Sequence, residues 1–207
     1  MKRVVVAATI AAAVIGGATA CGSDTDSQAS DPKVTDTTSA PDQVRWEQWQ
    51  GVAVPVSEVD GPRKIEGAVA SGYSDTPQGA VLAAAQAVTR LRLAPDDAWP
   101  QVANTVAAPG RGRDQYAVNR VQVSITGPVP SGTVDALRGF KIGEYSDERA
   151  TVELVTEQTG APLTASTHTV IWTGDDWKLA LPDPDADAPA PKPVDSLDGY
   201  TRFEAQQ

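Results

Sequence analysis

Residues 164–181 read TASTHTVIWTGDDWKLAL, and this stretch decides the fold. Thr164 to Thr173 is rich in the β-branched and aromatic residues that suit a pleated, half-buried surface. Gly174-Asp175 then turns the chain, and Trp177, Leu179 and Leu181 alternate as a returning strand. The same period of two extends backwards. Val152 and Leu154 alternate within Ala150–Gln158, and Phe140, Ile142 and Tyr145 precede them, with turns at Asp147-Glu148 and Thr159-Gly160. Residues 140–181 therefore predict an antiparallel meander of about four strands.

Before the meander the period is helical. Thr76 suits an N-cap and Pro77 the first helical position, where its missing N–H costs nothing. Val81, Leu82, Ala85 and Val88 share one face, and the many alanines around them predict close packing on several sides. This helix ends near Leu93, since Pro95 opens the next, where Trp99, Val102 and Val106 keep helical spacing. Pro109-Gly110 and Gly112 break the chain, and Asp114 to Val121 forms a third, shorter helix. Helices first and a meander second make residues 76–181 an α+β domain.

The flanks read differently. Residues 45–75 hold Trp46, Trp49, Val52, Val54, Val56, Val59 and Tyr73, too apolar for a linker. Gly51, Pro55, Gly61, Pro62, Gly67 and Gly72 interrupt them too often for a helix. They predict an extended arm whose tryptophans pack on the domain or form a docking surface. Residues 182–207 begin as a stiff Pro/Asp spacer, after which Leu197, Tyr200 and Phe203 either dock or fray. Residues 21–44 are mostly Ser, Thr, Asp, Ala and Gln and predict a disordered tether.

At the N-terminus Lys2 and Arg3 precede an apolar run from Val4 to Ile15, too short to span a hydrocarbon core of roughly 30 Å but suited to a signal peptide over residues 1–20. Ala18-Thr19-Ala20-Cys21 resembles the lipobox of bacterial lipoproteins, with Ala18 where Leu is usual. The resemblance implies a lipid on Cys21 and a place at the extracytoplasmic face of the cell membrane. An ordinary secretory signal cut near Ala20 is the alternative. Cys21 is the sole cysteine, so the chain builds no disulfide of its own.

The net charge of −10 argues against a nucleic-acid partner, which needs a positive surface. Five arginines between residues 90 and 120 leave room for a local basic face. With one histidine, His168, set mid-strand, and one cysteine, neither a His/Cys zinc site nor a Ser-His-Asp triad is expected, and His168 reads as a strand residue rather than a general base. Asp183, Asp185 and Asp187 lack the glycine and distal glutamate of a calcium loop. Gly110-Arg111-Gly112-Arg113 is a candidate anion loop. No catalytic residue, cofactor or metal is expected.

The order of three helices and four strands resembles the NTF2-like fold, helices closing a curved antiparallel sheet. Trp172-Thr173-Gly174-Asp175-Asp176-Trp177-Lys178-Leu179 is similar to the last hairpin of that fold. Trp46-x-x-Trp49-x-Gly51, Pro55-x-Ser57, Gly61-Pro62 and Gly72-Tyr73-Ser74-x-Thr76-Pro77-x-Gly79-Ala80 together resemble an actinobacterial exported domain of unknown function. Proteins of that type often accompany conjugation-type elements. The expectation is a non-enzymatic, lipid-anchored protein that contacts an envelope partner, with Trp46, Trp49, Tyr73, Thr76 and Pro77 as interaction or packing residues. The alternatives are a small apolar ligand held in the cone, or an enzyme using an Asp or an Asp/His pair there.

Overall fold

Alternating residues form strands only where a neighbour supplies the other half of each hydrogen-bond ladder, and here more neighbours exist than alternation reveals. A computed structural model describes residues 35–130 and 132–206. The leader, Cys21 and residues 22–34 lie outside the described residues, as does Ser131.

Two hairpins come first: β1 (Val44–Trp49) with β2 (Val52–Ser57), and β3 (Lys64–Glu66) with β4 (Val69–Ser71). Three helices follow, α1 (Pro77–Leu93), α2 (Trp99–Val106) and α3 (Arg111–Arg120). The rest is β5 (Ala136–Ser146), β6 (Arg149–Glu157), β7 (Thr164–Trp172), β8 (Trp177–Ala180), β9 (Lys192–Pro193) and β10 (Thr201–Arg202). One antiparallel sheet has the order β10-β5-β6-β7-β8, and β9 also pairs with β7. Since β6 occupies one edge of β7, β8 and β9 share the other.

This overturns the NTF2-like expectation of helices on a curved sheet of about four strands. The main sheet has six strands, and ten strands against three helices make the described chain mostly sheet. The extra strands escaped alternation because β9 and β10 have two residues each, too few for a period. The segment 45–75 is likewise two hairpins rather than an extended arm. Its first turn needs positive φ at both central positions, which Gln50 (51°) and Gly51 (84°) supply.

The alanine-rich α1 is the centre of the molecule. Ala80, Val81, Leu82 and Ala84 are fully buried, because the sheet lies on one side and the β1–β2 hairpin and α2 on others. Small side chains let these elements approach together. Facing α1 from the sheet are Phe140, Val152, Val170 and Trp177, all at 2 % exposure or less. Alpha-helix α1 begins at Pro77 and ends at Leu93 as the capping signals predict, whereas α3 starts three residues before Asp114.

The flanks are pinned to the domain. Residues 35–44, expected in the tether, dock: the Gln78 amide donates to the carbonyls of Asp36 and Ser39, the Thr201 hydroxyl to that of Thr38, and Pro41 is buried. In the tail Phe203 is buried against Phe140, so the 182–207 segment is part of the fold rather than a simple spacer.

Candidate functional site

The residues that carry the sequence motifs meet at the start of α1. There the Asp176 carboxylate, from the β7–β8 turn, accepts the backbone N–H groups of Gly72 (2.8 Å), Tyr73 (2.9 Å) and Trp177 (3.0 Å). Trp177 Nε1 donates to the Ser74 carbonyl at 3.0 Å. Asp60, also buried, accepts the hydroxyls of Ser74 (2.8 Å) and Thr76 (2.9 Å), and Thr76 in turn caps α1 by accepting the Gly79 N–H at 3.0 Å. Ser57 organises the adjoining turn by accepting the N–H groups of Val59 and Asp60. This clasp joins the hairpins, the helix and the sheet. Its polar side chains bond to one another and to backbone, which makes it a fastening within the fold.

Each predicted site residue has a place in that packing. Thr76 is the cap, Pro77 the buried first residue of α1, and Tyr73 is 4 % exposed, with its phenol pushed well up by burial. Half-buried Trp46 stacks at 5.2 Å on Phe203, so it covers the core through the tail. Trp49 lies over the guanidinium of Arg90, 4.7 Å from its ring centroid. Arg90 is 1 % exposed and has no carboxylate within salt-bridge distance among the described residues. Its charge rests on the Gln86 side-chain oxygen (2.8 Å), the Ala68 carbonyl (2.7 Å) and the indole face. Burial lowers the Arg90 pKa from its ordinary value.

The basic face suggested by five arginines is not formed. Arg90 and Arg120 are buried, Arg92 pairs with Asp135 at 2.6 Å, and Arg111 holds Asp183 (3.0 Å) and Asp185 (2.6 Å). The Gly110-Arg111-Gly112-Arg113 loop thus binds the chain's own carboxylates. Gly112 is required there because a Cβ would collide with the carbonyls of Leu181 and Pro182.

What remains open lies on α3, a region the sequence reading treated only as a short helix. Val118, Val121 and Val123 are 59 %, 69 % and 54 % exposed. Beside them runs a surface groove of about 450 Å³ between Leu91, Tyr116, Ile125 and Leu181, with Arg92 and Arg120 among its walls and no carboxylate. Arg120 secures the groove floor by donating to the carbonyls of Ala94 and Val123 and to Asp96. Its Nε is buried and has no partner among the described residues. Backbone donation from Ile125, then the Ser124 hydroxyl and Arg120, holds the Asp96 carboxyl below its usual range. The one available signal was the alternation Val121-x-Val123-x-Ile125 in a segment otherwise polar.

Among the described residues no group of three or more His, Cys, Asp or Glu could hold a metal ion, and no helix is long and apolar enough to cross a membrane. No curated protein and no solved structure matches the chain. A family model does match, over residues 8–202, and so takes in the hairpins, the three helices, the sheet and the two strands that the tail adds to it. On that match the chain belongs to the family described as a domain of unknown function, DUF8175.

Proposed function

We propose that this is a lipid-anchored extracytoplasmic protein that works by holding another envelope protein rather than by catalysis. The observation that carries the reading is the α3 groove. Its apolar floor, flanked by three exposed valines, is left open to solvent. Exposed apolar surface of this kind is costly to maintain and marks contact sites. With Arg92 and Arg120 already paired to Asp135 and Asp96, the groove's apolar lining favours an apolar segment as its occupant. The lipid on Cys21 rests on the Ala18-Thr19-Ala20-Cys21 pattern, and would keep the groove near membrane-bound partners. An actinobacterial envelope and a conjugation-type transfer assembly are the setting we infer from the resemblance carried by Trp46-x-x-Trp49-x-Gly51 and Gly72-Tyr73-Ser74-x-Thr76-Pro77.

The test is site-specific photo-crosslinking in cells. A photoreactive residue at Val121 should give a discrete adduct that one at exposed Lys141 does not. Val118→Ser with Val123→Ser should abolish it. Equal labelling at both positions, or an adduct that survives the serine changes, rejects the groove. Cys21→Ser should separately lose palmitate incorporation. A wild-type chain that carries no lipid rejects the anchor.

A further inference from the structure

On the other side of α1 the sheet keeps a second opening, which shares only Arg92 with the α3 groove. Pairing of Val152 with His168 and of Leu154 with Ser166 puts these two polar residues on the helix-facing side of β7, in phase with buried Val170. Thr156 follows Leu154 on that face of β6. The C-terminal half of α1 closes over them with Val88 and Leu93, Val52 of β2 forms an end wall, and Pro191 of the tail forms the rim. The enclosed space is about 240 Å³, and a narrow extension of about 40 Å³ runs inward toward Pro55 and Ala85.

No described residue hydrogen-bonds the Ser166 hydroxyl, the Thr156 hydroxyl or the His168 imidazole, whereas Thr89 beside them donates to the Ala85 carbonyl at 2.9 Å. Each of the three is only partly buried, so they are available to a molecule that enters the cleft. The three groups line the cleft in a row with Ser166 in the middle: His168 is two residues along the same strand, about 7 Å away, and Thr156 lies diagonally across on the other side at a similar distance. Three donor–acceptor groups around an apolar chamber make a binding site in miniature.

We propose that this cleft binds a small uncharged organic molecule, an apolar body bearing a hydroxyl or amide that Ser166 receives together with Thr156 or His168. The volume sets the size: it is below the roughly 300–1,000 Å³ of drug-sized sites, so the ligand is a fragment such as a single substituted ring. The electrostatics set the charge class. Arg92 and Asp135 at the mouth neutralise each other at 2.6 Å, and burial lowers the His168 pKa to about 4, leaving the imidazole neutral near pH 7. An ionic ligand entering this chamber would lose hydration without meeting an opposite free charge. Val88, Leu154 and Val52 supply the apolar walls.

Because His168 is the chain's only histidine, its ring signals report the cleft without assignment. The experiment titrates the full chain, labelled at histidine and held in detergent, with benzamide. A saturable shift with a Kd of about 1 mM is expected for a fragment of this size. Benzoate and benzylammonium should bind at least about tenfold more weakly, given the cost of burying an unpaired charge. Ser166→Ala and Thr156→Val should each weaken benzamide severalfold, and Val88→Trp should abolish the shift by filling the chamber. Far-ultraviolet circular dichroism and the native His168 signal verify the fold of each variant. No saturable shift up to about 50 mM, an unchanged Kd in folded Val88→Trp, or benzoate binding as tightly as benzamide overturns the proposal. None of these outcomes bears on crosslinking at Val121, so the two readings fail separately.

Discussion

The clasp at the start of α1 and the two openings beside its C-terminal half are built from similar residues, yet their chemistry is opposite. In the clasp Ser57, Ser74, Thr76, Asp60 and Asp176 are donors and acceptors to one another and to backbone. Around the cleft Thr156, Ser166 and His168 have no described partner, and on α3 and the turn after it three valines face solvent. The clasp contains the residues whose spacing makes a recognisable motif. The openings contain none. Motif density in this chain therefore marks where the architecture is held together, and the places able to meet another molecule have to be found from what the packing leaves unoccupied.

Breaking the clasp should cost most. Asp176→Ala leaves three backbone N–H groups without their acceptor in a buried corner, and each hydrogen bond to a charged group contributes about 1.5–3 kcal/mol. A loss of about 4 kcal/mol in urea unfolding is expected, a large share of a typical stability of roughly 5–15 kcal/mol. A loss below about 1 kcal/mol would mean that the clasp is ornamental.

The cleft should respond to pH instead. His168 has its pKa depressed from 6.5 to about 4 in the folded chain by burial, so between those values the unfolded chain binds the extra proton. Stability therefore rises with pH across that window and is lost as pH falls from 6.5 toward 4. This histidine's share is about 3 kcal/mol at the low end. The difference in stability between wild type and His168→Gln, measured from pH 7 to pH 4, isolates it from the carboxylates. A ring titration midpoint near 6.5 would show that the cleft is wet and sharpen the contrast in the wrong direction.

The tryptophans sit between the two extremes. Trp46 joins Phe203 to the core while half exposed, so Trp46→Ala should cost about 2 kcal/mol, less than the 3–5 kcal/mol of a fully buried ring. Trp49→Ala removes the indole from Arg90 and should cost about 1 kcal/mol. Two unshifted thermal midpoints would move both residues from packing to function. The smallest effect belongs to α3: Val121→Ser should leave stability within about 0.5 kcal/mol, because 69 % of that residue is already in solvent. A large loss there would place the valine in the fold's own packing.

Legibility in the sequence followed the range of the interaction. Alpha-helix α1 was readable at both ends because its signals, Thr76, Pro77 and Pro95, act within one turn of the residues they stop or start. The β5–β8 meander was readable because each strand is bounded by its own turn residues. The NTF2-like assignment failed because element order says nothing about which further segments join a sheet, and two-residue strands leave no period to detect. Trp46 and Trp49 were recognisable as residues that must pack, but their partners Phe203 and Arg90 were not. The face shared by Ser166, His168 and Val170 was implicit in alternation, and its meaning became visible only once α1 lay across it.

The amino-acid sequence by itself determined the bounds of α1, the order of the long strands and, with a single cysteine, that the chain builds no disulfide of its own. These follow from local spacing and from composition. The tertiary structure alone decided that Asp176 would meet Gly72 and Tyr73 across about a hundred residues of chain, that Arg111 would hold the tail's aspartates, and that the tail would close the sheet. It also decided which polar groups were left without partners. The physical reason is the same in each case: a hydrogen bond or a cavity belongs to two distant segments at once, and neither segment encodes it alone.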